Sequence, residues 1–404
     1  MDRRLPFWAL AALGATQVIG YGTLYYAFSI LAADIARDFG KADAWIFGAF
    51  SIALLAGSFL APIAGRLADR WGAGRLMAAG SAAAALTLLL AAKSPGPIAF
   101  ALSLIAMQAA AASVLYATAF TAIVQASGRS AQTSIVHLTL IAGFASTVFW
   151  PLTSWLHGHL TWREVFLLFA ALNLAVCLPL HLALGRLTSP AVGEKRTAAA
   201  DAAPRPPANM LVFTLMLAGF AIEGYALSAI LAQLVPLTQA LGLGASGLVV
   251  ASLFGPGQVA SRLINLVFGR DLSQAWLAVI ATVLLPLGLA VLLTTSPWLA
   301  GAVLFAICMG LGSGLTSIVG GTLPLELCGR RGYGKLMGWA TFCKQVPAAV
   351  APFAMSASMS AMGVVPSLWL VAAAGLAGLA AFAAIPLALR LSKPEASASY
   401  GPTR

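Results

Sequence analysis

Twelve apolar runs, beginning near Phe7, Ala44, Leu76, Ile98, Ser134, Val165, Met210, Ser246, Ala275, Trp298, Leu336 and Pro366, divide the chain into segments of about 17 to 26 residues. That length matches the hydrocarbon thickness of a bilayer, where backbone amides and carbonyls have no water to bind. Helices satisfy those groups internally, so the pattern predicts an all-α membrane protein with twelve transmembrane helices. The 404 residues are 60% hydrophobic and only 9% charged, whereas ordinary soluble domains carry about a quarter charged residues. A soluble globule is thereby excluded.

The formal net charge of +11 invites a nucleic-acid reading, but the positions of the cations argue for membrane topology instead. With the amino terminus inside, the segments on the cytoplasmic side hold Arg3, Arg4, Arg66, Arg70, Arg75, Arg129, Arg186, Lys195, Arg196, Arg205, Arg270, Arg330, Arg331, Lys335, Arg390, Lys393 and Arg404. The opposite side holds Arg37, Lys41, Lys93 and Arg163. This asymmetry predicts a multi-pass protein of the inner (plasma) membrane with both termini cytoplasmic and no nucleic-acid partner. The first apolar run is too long for a signal-peptide core and shows no cleavage site, so it is expected to be kept as helix 1. Cys177, Cys308, Cys328 and Cys343 are scattered and fall in no external loop, and disulfides are not expected.

The two halves repeat. Gly65-Arg66 recurs as Gly269-Arg270, Ser94-Pro95 as Ser296-Pro297, Gly128-Arg129 as Gly329-Arg330, and Pro151 as Pro352. The nearly constant offset predicts an internal duplication of six helices. The expected bodies are 1–185 and 209–391. A Pro- and Ala-rich cytoplasmic linker, 186–208, joins them, and a short polar tail, 392–404, follows.

Between the second and third runs stands G-R-L-A-D-R-W-G-A-G-R at 65–75, read as a tight charged turn at the membrane surface. Glycines at 65, 72 and 74 tolerate backbone angles that a side chain forbids. One reading is a helical hairpin held on the cytoplasmic side by its arginines. The spacing of Gly65, Asp69, Arg70 and Gly72 also resembles the signature loop of the major facilitator superfamily. The family's closing basic run is reduced here to Ala73-Gly74-Arg75. The resemblance covers the whole chain and implies two six-helix repeats with a substrate site between them near the bilayer midplane. It also implies a latch in which Gly65 lets helix 2 pack closely on helix 11 and Asp69 holds the cytoplasmic gate through neighbouring charges. Arg70, Gly72 and Arg75 belong to the same gating turn.

Three formal charges lie within the apolar runs: Glu223 on helix 7, Arg262 on helix 8 and Lys344 on helix 11. A charge in hydrocarbon costs on the order of 2.5 to 3.5 kcal/mol even on the lenient insertion scale, so these side chains are expected to face a water-filled cavity or a partner. Helical rise places both cations roughly 10 to 12 Å inside the boundary, at similar depth near the midplane. Together they are expected to bind an anion. Structural alternatives are an Arg262 tied to backbone carbonyls or to Glu223. Glu223 is read as a proton carrier, as the counter-ion of the empty cavity, or as both. On helix 1, Gln17 and Tyr21 share a face with Tyr25, and Gln108 and Tyr116 lie on helix 4; with the two cations, Gln17, Tyr21, Gln108 and Tyr116 are the expected substrate-binding set. His181, near the cytoplasmic end of helix 6, is expected to snorkel.

An arginine on helix 8 with a lysine on helix 11 resembles the oxalate/formate antiporters and, for the arginine, the monocarboxylate porters. Helix 1 lacks the acidic-glycine-aromatic signature of many monocarboxylate porters, and Arg262 stands about one turn deeper than the usual arginine. The function this implies is secondary active transport of a small organic anion, by symport or antiport, with a coupling proton and a functional monomer. The alternative is an efflux pump that expels a drug or metalloid by proton antiport, with thiols as soft ligands. No paired carboxylates, H-x-x-x-H, G-x-S-x-G or C-x-x-C occur, so neither an enzyme nor a bound cofactor or metal is expected.

Overall fold

The computed structural model describes residues 5–128, 130–188, 210–244, 247, 250, 252–269 and 271–391, and among these there are helices and short connections but no strand. Twelve helical segments follow one another: α1 (Phe7–Asp38), α2 (Asp43–Trp71), α3 (Ala73–Ala92), α4 (Pro97–Ala126), α5 (Ala131–His157) and α6 (Trp162–Gly185). After the linker come α7 (Met210–Ala240), α8 (Phe254–Phe268), α9 (Gln274–Thr295), α10 (Leu299–Cys328), α11 (Tyr333–Met362) and α12 (Val364–Leu391). Ten are long and apolar enough to cross a membrane. The other two among the described residues, α8 and α11, carry Arg262 and Lys344. The linker expected at 186–208 lies outside the described residues beyond Thr188, as do Arg129, Arg270 and the tail.

Local chemistry sets the ends. Pro97 opens α4, where its missing N–H is no loss. Thr161 and Glu164 form a reciprocal capping box at the start of α6. The α2–α3 connection is tighter than the expected turn at 65–75. Helix α2 runs on through Trp71 because Leu67, Ala68 and the flanking arginines favour helix, and Gly72 alone reverses the chain at φ 91°. Gly65 and Gly74 are therefore helical residues. Gln125 closes this turn, donating from Nε2 to Ala68 O at 2.9 Å and accepting from Ala73 N at 2.8 Å on Oε1. His181 does not snorkel. It is buried against α3, with Nδ1 2.7 Å from Ser81 Oγ, because a hydrogen-bonding partner is nearer than the surface.

Two apolar cores lie within α1–α6 and two within α7–α12, and they interlock where Tyr333 and Met337 of α11 enter a core of the first half. The main contacts between halves join α2 with α11, the end of α4 with α11, and the start of α5 with α8 and α10. Most of these contacts gather toward the face that carries the α2–α3 turn.

Two helices widen locally. Gly22–Tyr26 in α1 and Asn173–Cys177 in α6 are π-helical, and Asn173 Nδ2 joins them by donating to Thr23 Oγ1 at 3.0 Å. Such turns free backbone carbonyls and recur at functional sites. Helix α4 is likewise broken at Leu115, whose backbone is extended.

Candidate functional site

A cavity of about 390 Å³ opens between the two sets of helices, bordered by α1, α2, α4 and α5 on one side and α7, α8, α10 and α11 on the other. Tyr21, Tyr25, Tyr26 and Tyr116 line one wall; Arg262, Ser317 and Lys344 line the other.

The aromatic wall follows from the irregularities just described. In a regular helix, consecutive residues such as Tyr25 and Tyr26 diverge by a large angle. The π turn puts both on the cavity beside Tyr21, with ring centroids 5.4 Å apart for Tyr25–Tyr26 and 6.3 Å for Tyr21–Tyr26. Gln108 Nε2 donates to the Leu24 carbonyl inside this turn at 3.0 Å, which stabilises the widened backbone. The break in α4 starts a new helix at Tyr116, whose ring packs on Tyr21 at 4.9 Å and stacks on Phe120 at 5.1 Å. Gln17 Nε2 donates to Val114 O at 2.7 Å, next to that break. Gln17 itself is fully buried and does not line the cavity. Its place is behind the aromatic wall, as a support of the kink.

The charged wall is asymmetric. Lys344 Nζ lies 3.0 Å from Glu223 Oε2, so the pair neutralises itself. Lys344 is one-third exposed and faces the cavity, whereas Glu223, 7% exposed, stands behind it. Glu223 lines a separate void of about 10 Å³ shared with Thr282, Ser313, Gly375 and Gly378. That is room for about one water molecule. Among the described residues, Lys344 is the charged group that meets Glu223; α9, α10 and α12 present hydroxyls, glycines and apolar groups to it.

Arg262 has no such partner. It is 4% exposed, donates from Nη2 to Ser317 Oγ at 3.2 Å, and leaves Nε and Nη1 without acceptors. No carboxylate lies within ion-pair distance of it among the described residues. Its guanidinium reaches across to α5, where Nη1 occupies the space that a Cβ on Gly143 would need. Tyr26 and Tyr116 border the same cavity as Arg262. Arg262 and Lys344 thus share one cavity as the sequence suggests, but Glu223 is spent on the lysine and the arginine alone remains unmatched. Gln258, on α8, donates to Ser313 at 2.8 Å and also borders the cavity.

The expected gating residues form a separate cluster. Gly65 and Gly334 pack backbone to backbone, and Gly338 lies against Ala61 and Pro62 in the same seam. Among the described residues Asp69 makes no ion pair. Its carboxylate accepts from Gly334 N at 2.9 Å and Lys335 N at 2.8 Å, capping the positive end of α11. Arg70 and Arg75 are exposed. A cation does act nearby: Arg330 Nη2 donates to the carbonyls of Val124 and Ser127 and caps the negative end of α4. Sequence reading misses Arg330, Gly143 and Ser317 and leaves Tyr25 and Tyr26 out of the expected binding set. The Gly329-Arg330 repeat is the one signal that singles out any of them.

No cysteine lines the cavity, and no group of three His, Cys, Asp or Glu side chains is placed to hold a metal among the described residues. A second cavity, about 640 Å³, lies between the starts of α1, α5 and α9 and the end of α8, with His137 and Asn265 on its wall.

The sequence model of the family described as Major Facilitator Superfamily matches residues 13–352. No curated protein matches the chain in sequence. Among solved structures, the human organic anion transporter MFSD10 (TETRAN) superposes with a TM-score of 0.73 at 13% identity, covering 94% of this chain and 100% of that one. The proton:xylose symporter XylE bound to 6-bromo-6-deoxy-D-glucose gives 0.71 at 12% identity, covering 94% and 96%. FucP in the outward conformation gives 0.68 at 13% identity, covering 95% and 98%. At such identities the fold is what is shared.

Proposed function

Because the chain belongs to the Major Facilitator Superfamily, a family of membrane transporters, we propose that it carries a small carboxylate-bearing organic anion across the membrane, with Arg262 as the anion-binding group. One observation carries this reading: a guanidinium 4% exposed, inside a cavity, with two nitrogens lacking acceptors. A buried unpaired charge is costly, and a carboxylate relieves that cost through two parallel hydrogen bonds. The same cost works against cations and neutral solutes. Neighbours of the same fold handle solutes as different as organic anions and xylose, so the substrate class rests on this arginine. The presence of Arg262 on α8 and Lys344 on α11 in one cavity favours the branch of the oxalate/formate antiporters and monocarboxylate porters.

Lys344 and Glu223 supply the coupling. A proton on Glu223 cancels its charge and frees Lys344 toward the cavity. One proton on Glu223 and one carboxylate at Arg262 leave the net charge of the site unchanged, which favours their joint passage as symport. The moving bodies are 1–185 and 209–391, each chain acts as a monomer in the plasma membrane, and the α2–α3 face is cytoplasmic. There Gly65, Asp69, Arg70, Gly72 and Arg75 form the gate that alternates access.

The test is binding and counterflow of radiolabelled carboxylates in liposomes by wild type, Arg262→Ala and Arg262→Lys. Both variants lose at least about tenfold in affinity, because lysine lacks the planar fork that binds both oxygens. Undiminished transport by both, or transport restricted to neutral or cationic solutes, refutes the assignment.

A further inference from the structure

We propose that the substrate is an aromatic monocarboxylate, held with its carboxylate on Arg262 and its ring against the tyrosines of α1 and α4. This rests on the anion reading above and narrows it to a chemical class.

Charge sets the number of carboxylates. The site has two cations and one carboxylate, but Lys344 and Glu223 are already matched at 3.0 Å. A single unmatched positive charge, Arg262, faces the cavity. A second carboxylate on the same solute meets the Lys344–Glu223 pair, where Glu223 repels it. Dicarboxylates, oxalate among them, are therefore poor ligands.

The wall opposite sets the body. Tyr21, Tyr25, Tyr26 and Tyr116 gather around one side of the cavity, with Phe120 behind Tyr116 and Trp150 behind Tyr26 at 5.7 Å. Neighbouring centroids 4.9 to 6.3 Å apart, at tilted or edge-on angles, are the arrangement in which ring quadrupoles attract. A further ring joins such a cluster by the same edge-to-face contacts. Half of the remaining lining is alanine, leucine, methionine and phenylalanine, which favours a solute with an apolar body over formate or acetate.

Two features show that this wall is built. It depends on a π turn that turns Tyr25 and Tyr26 inward and on a helix break that begins at Tyr116. Each irregularity has its own buried glutamine at a backbone carbonyl, Gln108 on Leu24 and Gln17 on Val114. Arg262 and the four tyrosines border the same cavity of about 390 Å³, which is room for one solute of benzoate size between the cation and the rings.

The experiment measures binding to the purified full-length protein, by calorimetry, of benzoate, cyclohexanecarboxylate, acetate, terephthalate and benzyl alcohol. Benzoate is expected to bind at least about tenfold tighter than acetate and than terephthalate, and several-fold tighter than cyclohexanecarboxylate, while benzyl alcohol does not bind. Tyr116→Leu and Tyr21→Leu are each expected to weaken benzoate about tenfold and to lower its preference over acetate by a similar factor, whereas Arg262→Ala removes both. The wild-type series decides the matter even where a tyrosine variant fails to fold. Acetate or terephthalate binding as tightly as benzoate, or cyclohexanecarboxylate matching it, overturns the aromatic assignment and leaves the anion reading standing. Failure of every carboxylate to bind overturns the anion reading itself.

Discussion

Gly65 of α2 and Gly334 of α11 face each other so closely that a methyl group on either would overlap the other's backbone. This contact joins the two halves backbone to backbone, and Gly338 against Ala61 extends it by one turn. Overpacking a fitted interface costs about 1 to 3 kcal/mol. Gly65→Ala is therefore expected to destabilise the packed state and to slow or unbalance exchange about tenfold, with substrate affinity within a few-fold of wild type. Counterflow rates and binding isotherms on the same preparation test this; a normal rate would mean that the seam opens elsewhere.

Asp69 and Arg330 close the same face in opposite senses. An acid from the first half caps the amino end of α11, and a base from the second half caps the carboxyl end of α4. Each partner complements a helix dipole, and loss of a cap costs typically about 1 kcal/mol. Asp69→Asn and Arg330→Gln are each expected to slow transport several-fold without changing affinity. The double variant should add the two effects in free energy, since the caps share no atoms. Rates measured across this cycle decide it, and an unaffected single variant removes that cap from the gate.

The fold was legible because lipid enforces helix, so apolar run length and the repeated turn signals place all twelve segments. The three charges within the apolar runs were legible for a related reason, the cost of a charge in hydrocarbon. What stayed hidden depends on local departures from helical period. Tyr25 and Tyr26 border the cavity from a π turn that has no strong sequence mark, and the break at Leu115 that starts a new helix at Tyr116, itself an expected residue, has none either. Pairing was hidden too: three charges on three helices allow several matches, and only their placement joins Lys344 to Glu223. Gln17 shows the converse, a polar residue on the expected face that serves a backbone carbonyl.

Glu223→Gln isolates the coupling step. The amide cannot take up a proton and no longer matches Lys344, so the cavity gains one net positive charge. Counterflow is expected to persist and anion affinity to rise several-fold, while accumulation driven by a pH gradient disappears. Uptake followed by a pH-sensitive dye in the same vesicles tests this. Gradient-driven accumulation that survives intact limits Glu223 to the role of counter-ion.

Gly143→Ala tests the position of the guanidinium without removing its charge. Gly143 has ordinary helical angles, φ −60° and ψ −23°, so alanine suits its backbone and improves helix propensity. The added methyl, however, falls where Arg262 Nη1 lies, and the head group must turn away from α5 toward Ser317. A displaced fork loses one of its two bonds to a carboxylate, so affinity for benzoate should fall about tenfold while the melting temperature holds or rises slightly. Arg262→Ala lowers affinity at least as far but also deletes the cation, and therefore cannot separate position from charge. Calorimetry on Gly143→Ala makes that separation. Unchanged affinity in a folded Gly143→Ala protein would show that the anion does not depend on where α5 holds Arg262.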